Sequence, residues 1–275
     1  MTSIVADAAP FLKWAGGKTQ LLKQYAPHFP DREAIGRYYE PFIGSGAVFF
    51  HLQPSAAVLA DMNAKLIEVY RVVQQDVEGL IEALQIHRNE KDYFYAVRAQ
   101  DPATLSPVER AARLIFLNKT CYNGLYRENQ QGEFNVPFGR YKNPTICDVE
   151  RLRNASQALT GTELRAGDFA ETVAGAGPGD LVYFDPPYVP LNATSNFTSY
   201  NRFGFDAHDQ RRLAQTFHEL AQRGCTVMLS NSSAPLVYEL YDDRGYELIE
   251  VSARRSINSR ADRRGPVKEL LIVSR

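Results

Sequence analysis

Apolar and polar positions along this chain follow two periods, and the changes between them divide it into three parts. In the first part, 37–41 and 58–61 are short apolar runs, which predicts two strands. Between them Phe42-Ile43-Gly44-Ser45-Gly46 is a glycine turn that opens a helix over 47–52. In the second part, from about Asp76 to Thr160, apolar residues recur at helical spacing, and helices are predicted over 77–87, 92–99, 108–117 and 148–159. After Gly161 short apolar runs return over 164–166, 180–184, 225–230, 246–251 and 267–273. Helices over 207–222, with Asp206 as a cap, and over 235–241 lie among them. Ahead of all this, residues 1–10 read as a disordered arm, and 11–18 lead into an amphipathic helix running to about Tyr25.

The order strand, glycine turn, helix, strand, then the acid Asp61, is the first half of a Rossmann-like sheet. The turn reads Gly44-x-Gly46-x-x-Phe49, without the third glycine of a dinucleotide site, so a nucleoside such as S-adenosylmethionine fits better than a pyrophosphate ligand. Gly17-Lys18-Thr19 imitates a phosphate loop, but Leu12 stands where that motif needs another glycine, and a nucleotide triphosphatase is set aside. Gly16 and Gly17 still allow close backbone approach to a ligand, and Trp14 beside them can pack on a flat one.

The chemistry concentrates in Asp185-Pro186-Pro187-Tyr188, directly after the apolar run 180–184. Two prolines cannot continue a strand, so the chain leaves the sheet with Asp185 at its carboxyl end, where open α/β sheets bind ligands. An aromatic exocyclic amine is a poor nucleophile, because its lone pair is delocalised into the ring. Two acceptors aimed at its protons, the Asp185 carboxylate and the Pro186 carbonyl, draw it toward a tetrahedral geometry, and Tyr188 can stack on the flat base. Methylation of such an amine is the chemistry that needs this set. The seventeen residues from Val189 to Phe205 have no regular pattern and read as a mobile functional loop.

Composition narrows the picture little. With 44% apolar and 23% charged residues, this is an ordinary soluble chain, and a net charge of −1 means that any nucleic-acid surface must be local. Two local candidates exist. Tyr122–Arg127 and then 132–142 interleave aromatics, Asn and Arg around an Asn-Gly turn, which suggests a β-ribbon able to enter a major groove. Arg254, Arg255, Arg260, Arg263, Arg264 and Lys268 stand against Asp262 alone, a local excess of five positive charges suited to phosphates. No run of 18 apolar residues predicts a membrane span, and no leader pattern opens the chain. Three separated cysteines and five scattered histidines suggest reduced thiols and no metal site, so a cytoplasmic protein is expected.

Taken together, these segments resemble the Dam-type (D12 class) DNA adenine-N6 methyltransferases, which use S-adenosylmethionine and recognise GATC. The resemblance runs over about 11–273: the opening segment 11–18, the glycine loop 40–46, Ala60-Asp61, the recognition segment, Asp185–Tyr188 and the basic Arg254-Arg255-Ser256-Ile257. It implies a Rossmann-like, seven-stranded, mainly parallel methyltransferase sheet built from 1–75 and 161–275, with an inserted helical DNA-recognition domain and hairpin in 76–160. Trp14, Lys18, Phe42, Gly44, Asp61 and Asp185 would hold the cofactor, with Asp168 and Phe169 at its adenine end. Asp185, Pro186 and Tyr188 would serve the target amine, of an adenine flipped out of double-stranded DNA. Arg127 would read a guanine, with Tyr122, Leu125 and Pro137 filling the stack. Arg140, Lys142, Arg254 and Arg255 would meet phosphates, and Lys13, Asn123, Asn129, Asn135 and Tyr141 would complete the DNA surface. At the level of residues, cytosine-N4 methylation needs the same amine chemistry and remains open, as does a DNA-binding module without catalysis. Cytosine-C5 methylation needs a cysteine nucleophile, typically after proline, and Cys121, Cys147 and Cys225 follow Thr, Ile and Gly.

Overall fold

A computed structural model of the chain describes residues 4–191, 204–254 and 266–274. Seven strands form one sheet: β1 (Tyr38–Glu40), β2 (Ala57–Asp61), β3 (Glu163–Ala166), β4 (Leu181–Phe184), β5 (Thr226–Ser232), β6 (Glu247–Arg254) and β7 (Pro266–Val273). Their order is β3-β2-β1-β4-β5-β7-β6, with β7 antiparallel to both of its neighbours and every other pair parallel. Strand order reverses between β1 and β4, and a crevice opens at their carboxyl ends.

The sheet is covered on both faces, which explains why its strands read as apolar runs without alternation. The period of two is still visible in what each face touches. Tyr38, Leu59, Leu181, Tyr183 and Met228 join one core, while Tyr39, Val58, Val182, Phe184 and Val227 join the other. The second core is closed by α8 (Phe169–Thr172), α9 (Ala207–Gln222) and α10 (Pro235–Tyr241). Asp206 caps α9 as expected: its carboxylate accepts from the His208 and Asp209 amides at 2.8 and 3.1 Å.

The first core holds α1 (Leu22–Tyr25), α2 (Ala47–Leu52) and α3 (Ala64–Gln75). It also takes in α4 (Val77–Gln85), the first half of α6 (Pro107–Thr120) and α7 (Val149–Ala158). These three helices therefore share a core with the sheet. A separate cluster of Phe94, Val97, Phe116, Leu117, Cys121, Phe134 and Val136 joins α5 (Lys91–Ala99) and the end of α6 to the segment that follows.

Two local expectations change. The start of the chain is docked from residue 5 onward: Val5 is buried, its amide donates to Gln53 Oε1 at 2.7 Å, and its carbonyl accepts from Gln53 Nε2 at 3.0 Å. One apolar residue and two backbone hydrogen bonds hold it there, too little sequence for a periodic signal. The ribbon is also looser than a ladder, with isolated antiparallel bridges at Cys121–Phe138 and Glu128–Phe134. The turn that reverses it is centred on 129–132, where Asn129 accepts from the Gln131 and Glu133 amides and receives a backbone bond from Gly132. The Asn123-Gly124 pair, with φ of 55° and 62°, instead forms a tight left-handed turn ahead of the ribbon, closed by the Leu125 amide donating to the Tyr122 carbonyl. Of the loop expected over 189–205, residues 192–203 lie outside the described residues, as do Arg255, Arg260, Arg263 and Arg264.

Candidate active site

A cleft opens at the switch between β1 and β4, lined by Trp14–Lys18, Glu40, Ile43–Ser45, Ala47, Val48 and Asp185. Its walls come from three distant stretches. Gly44 has a φ of +47°, and a Cβ there would sit 2.8 Å from Trp14 Cδ1, so the close approach of Trp14 to the turn requires glycine. The Gly44 amide donates to Asp61 Oδ2 at 3.3 Å, which ties the end of β2 to the rim of the cleft.

The electrostatics of the cleft follow from burial. Lys18 is buried, and its ammonium lies 2.7 Å from the Asp185 carboxylate, 2.5 Å from the Gly16 carbonyl and 4.9 Å from the centre of the Tyr188 ring. Desolvation pushes the Asp185 carboxyl up to about 6, although Lys18 pulls it down. Desolvation likewise pushes Asp61 up to about 6, against the hydrogen bonds from the Asn63 and Gly44 amides. Glu40 is buried more deeply and goes to about 8, even with Tyr38 Oη and the Phe49 amide donating to it. Burial therefore favours a proton on Glu40 most strongly, and on Asp185 and Asp61 less. Glu40 was legible as the end of a strand and the first residue of the glycine-loop resemblance, but not as a site residue; the signal for its place in the cleft is an acid at the last strand position before a glycine turn.

The turn after Asp185 is fixed by polar groups from three elements. Gln210 Nε2, on α9, donates to the Pro187 carbonyl at 2.8 Å. The Val189 amide donates to Asn231 Oδ1 at 3.1 Å, and Ser232 Oγ donates to the Val189 carbonyl at 2.6 Å, both from β5. Tyr188 Oη donates to Glu269 on β7 at 2.9 Å. Pro186 is buried and Asp185 half-buried, so the turn presents its polar groups from a rigid base.

The other expected cofactor residues do not line the cleft. Asp168 caps α8 by accepting from the Ala170 amide at 2.9 Å, and both of its oxygens take Arg212 at 2.9 and 2.8 Å. That guanidinium holds Asp168 below the ordinary carboxylate range. Phe169 is buried, stacked on Phe42 at 5.5 Å between ring centres, with Arg212 over its ring at 4.2 Å. Phe42 also meets Phe205 edge-on at 5.7 Å. The side chains of Asp168 and Phe169 are thus occupied by protein, for which a partner 44 residues away gives no local sequence signal.

Apart from Lys13, Arg254 and Arg255, the expected DNA residues fall on one segment, with unequal freedom. Tyr122, 52% exposed, and Asn123, Pro137, Arg140 and Lys142 are exposed, while Leu125 is half-buried on the third cluster. Arg127 lies two residues before the reversing turn and is oriented by Asn135, with Nε to Oδ1 at 2.6 Å and Nη2 to the carbonyl at 3.2 Å. Asn129 is used by the turn, its amide donating to Glu133 at 2.8 Å. Lys13 is exposed, with its ammonium 4.3 Å over the Tyr141 ring. Tyr126, which the sequence did not single out, stacks on Trp14 at 5.2 Å. Arg254 ends β6.

Known proteins resemble the chain over most of its length. A type II methyltransferase of Lactococcus lactis subsp. cremoris is 43% identical over 273 residues, covering 96% of this chain and 95% of that protein. A type II methyltransferase of Methanocaldococcus jannaschii is 43% identical over 289 residues, covering 98% and 99%. The DNA adenine methylase of Escherichia coli (strain K12) is 37% identical over 265 residues, covering 95% and 93%. The model of the D12 class N6 adenine-specific DNA methyltransferases matches residues 14–257, and the chain belongs to that family.

Proposed function

We propose that this enzyme takes its methyl group from S-adenosylmethionine and places it on N6 of the adenine in GATC, after that adenine has swung out of duplex DNA. The observation that carries the reading is Asp185: it stands on the rim of the cleft and opens a turn pinned by Gln210, Asn231 and Ser232. The cleft suits an amino-acid nucleoside. It offers a flat ring in Trp14, a cation in Lys18 and a buried acid in Glu40, with Asp61 tied to its rim for ribose hydroxyls. The bound cofactor supplies an electrophilic methyl on a sulfonium.

The rest falls to the protein. The Asp185 carboxylate and Pro186 carbonyl accept hydrogen bonds from the two amine N–H groups, localise the nitrogen lone pair and aim it. Tyr188, anchored by Glu269, gives the base a face. With its carboxyl at about 6, Asp185 can also take the proton that the amine loses. Positioning and acceptors fixed in advance supply most of the acceleration.

The insertion 76–160 is the recognition unit in this reading, and 121–142 is its DNA-facing part. Arg127, already held in plane by Asn135, meets the two acceptors of guanine. Arg140 and Lys142, with Lys13, Arg254 and Arg255, meet phosphates, which position the protein without reading sequence. Tyr122, Leu125 and Pro137 fill the gap left by the base. Asn123, Asn135 and Tyr141 complete the surface, and Asn129 serves it through the turn. The likeness to proteins described as DNA adenine methylases supports adenine as the target base, and GATC is read from the resemblance of the recognition segment. The test is transfer of labelled methyl to duplexes that carry GATC or a site altered at one base, with the product base identified. Equal labelling of all duplexes, or label on cytosine, refutes the reading.

A further inference from the structure

Asn118 is fully buried near the end of α6 and lines neither the cleft nor the exposed recognition surface. Its carboxamide nevertheless touches both segments that serve them. Asn118 Oδ1 accepts from the Lys13 amide at 2.9 Å, and Nδ2 donates to the Lys13 carbonyl at 2.7 Å and to the Gly124 carbonyl at 3.1 Å. Both donors and the acceptor are used, and the Lys13 amide fixes which end is oxygen. Lys13 directly precedes Trp14 in the cleft wall, and Gly124 closes the turn that exposes Tyr122 and Asn123. The two segments also lie in direct contact: a Cβ on Gly124 would stand 2.5 Å from Lys13 Cδ. Beside this clip, Trp14 stacks on Tyr126, whose hydroxyl donates to Glu128. Glu128 also takes Lys65 at 2.6 Å, four residues beyond Asp61.

We infer that Asn118 is a positioning residue that couples cofactor binding to DNA binding, by holding the backbone of the cleft segment and that of the recognition turn in one hydrogen-bonded unit. The inference rests on reading the cleft as the cofactor site and 121–142 as the DNA surface. A ligand that orders Trp14 also orders Lys13. Asn118 passes that order to Gly124, so the second ligand finds less freedom left to remove. By linkage, the same factor must appear in both directions.

The experiment uses the full chain with S-adenosylhomocysteine, which has no methyl to transfer, and a GATC duplex. Each ligand is titrated with and without the other. The wild type should show a coupling factor of about five or more, equal in both directions. Asn118→Asp keeps an oxygen toward the Lys13 amide and loses both donors. It should bring the factor below about two while a circular dichroism spectrum stays native, whereas a purely structural role would weaken both ligands and leave the ratio alone. Should N118D not fold, Asn118→Ser, too short to reach both segments, is read in its place. A wild-type factor of one, or an unchanged factor in the folded variant, overturns the inference while leaving the cleft reading intact. No binding of S-adenosylhomocysteine at all overturns both.

Discussion

The cleft at the ends of β1 and β4 and the stretch 121–142 are built in opposite ways. In the cleft, titratable groups are buried, few and individually committed: Lys18 to Asp185, Glu40 to Tyr38 and the Phe49 amide, Asp61 to two amides. In the recognition stretch, Tyr122, Asn123, Arg140 and Lys142 face solvent, and two isolated bridges replace a ladder. A buried polar group interacts in a low dielectric and is costly to disturb, whereas an exposed one is screened by water and salt. Loss of a group should therefore cut deep and specifically in the first region, and be shallow and salt-dependent in the second.

The largest effect belongs to Asp185. Asp185→Ala removes one of two acceptors fixed in a dry site, and kcat should fall about 10²–10³-fold, about 2.7–4 kcal/mol of barrier. Single-turnover methylation by folded protein checks this; a near-normal rate would remove Asp185 from the chemistry. Acidity should act through the same group. With Asp185 and Asp61 both raised to about 6, kcat/KM should fall as pH drops through 6. At saturating cofactor the loss should approach tenfold per pH unit, since Asp185 alone then matters. The effect on folding has the opposite sign. A carboxyl raised above its ordinary 3.8 favours the protonated folded state, so these two groups make ligand-free protein less stable as pH climbs from about 4 to 6. Denaturant midpoints and rates over the same pH range should thus diverge, and a parallel course would contradict the assignment.

Asp61→Ala comes next. Loss of charge-assisted bonds to ribose hydroxyls should weaken S-adenosylmethionine by about 1.5–3 kcal/mol in titration calorimetry, with no loss of sequence preference. Unchanged affinity would detach Asp61 from the cofactor.

In the recognition stretch, two arginines should fail differently. Arg127→Ala should cost about 1–3 kcal/mol of discrimination at one guanine, while methylation of altered sites persists. Arg140→Ala should weaken all sequences alike by a smaller amount and lower the slope of log affinity against log salt by about 0.9. Methylation of GATC and single-base variants at two salt concentrations separates them, and equal loss at all sites for Arg127→Ala would make it a phosphate contact.

What the sequence showed and what it hid divide along physical lines. β2, β4, α9 with its Asp206 cap and the exit of Asp185 from the sheet all leave marks within a few residues, as periodicity, an N-cap or a proline pair. Arg212 on Asp168, Tyr126 on Trp14, Asn118 between Lys13 and Gly124, and Gln53 on Val5 are single contacts between distant segments. Nothing periodic announces them. Several of them decide whether a candidate side chain is free to meet a ligand. Asp168 looked available and is engaged, while Glu40 looked like the end of a strand and lines the cleft.

The Val5–Gln53 clasp has a practical side for anyone cutting or tagging this chain. Gln53 sits just past α2 in a left-handed conformation, φ 43°, with its amide spent on the two backbone groups of Val5. A deletion through residue 9 would strip both partners from Gln53 and uncover the apolar ground under Val5 and Ala8. The loosened end would be that of the helix whose start forms the glycine turn of the cleft. An affinity handle is therefore better joined ahead of residue 4 through a flexible spacer than used to replace the first residues.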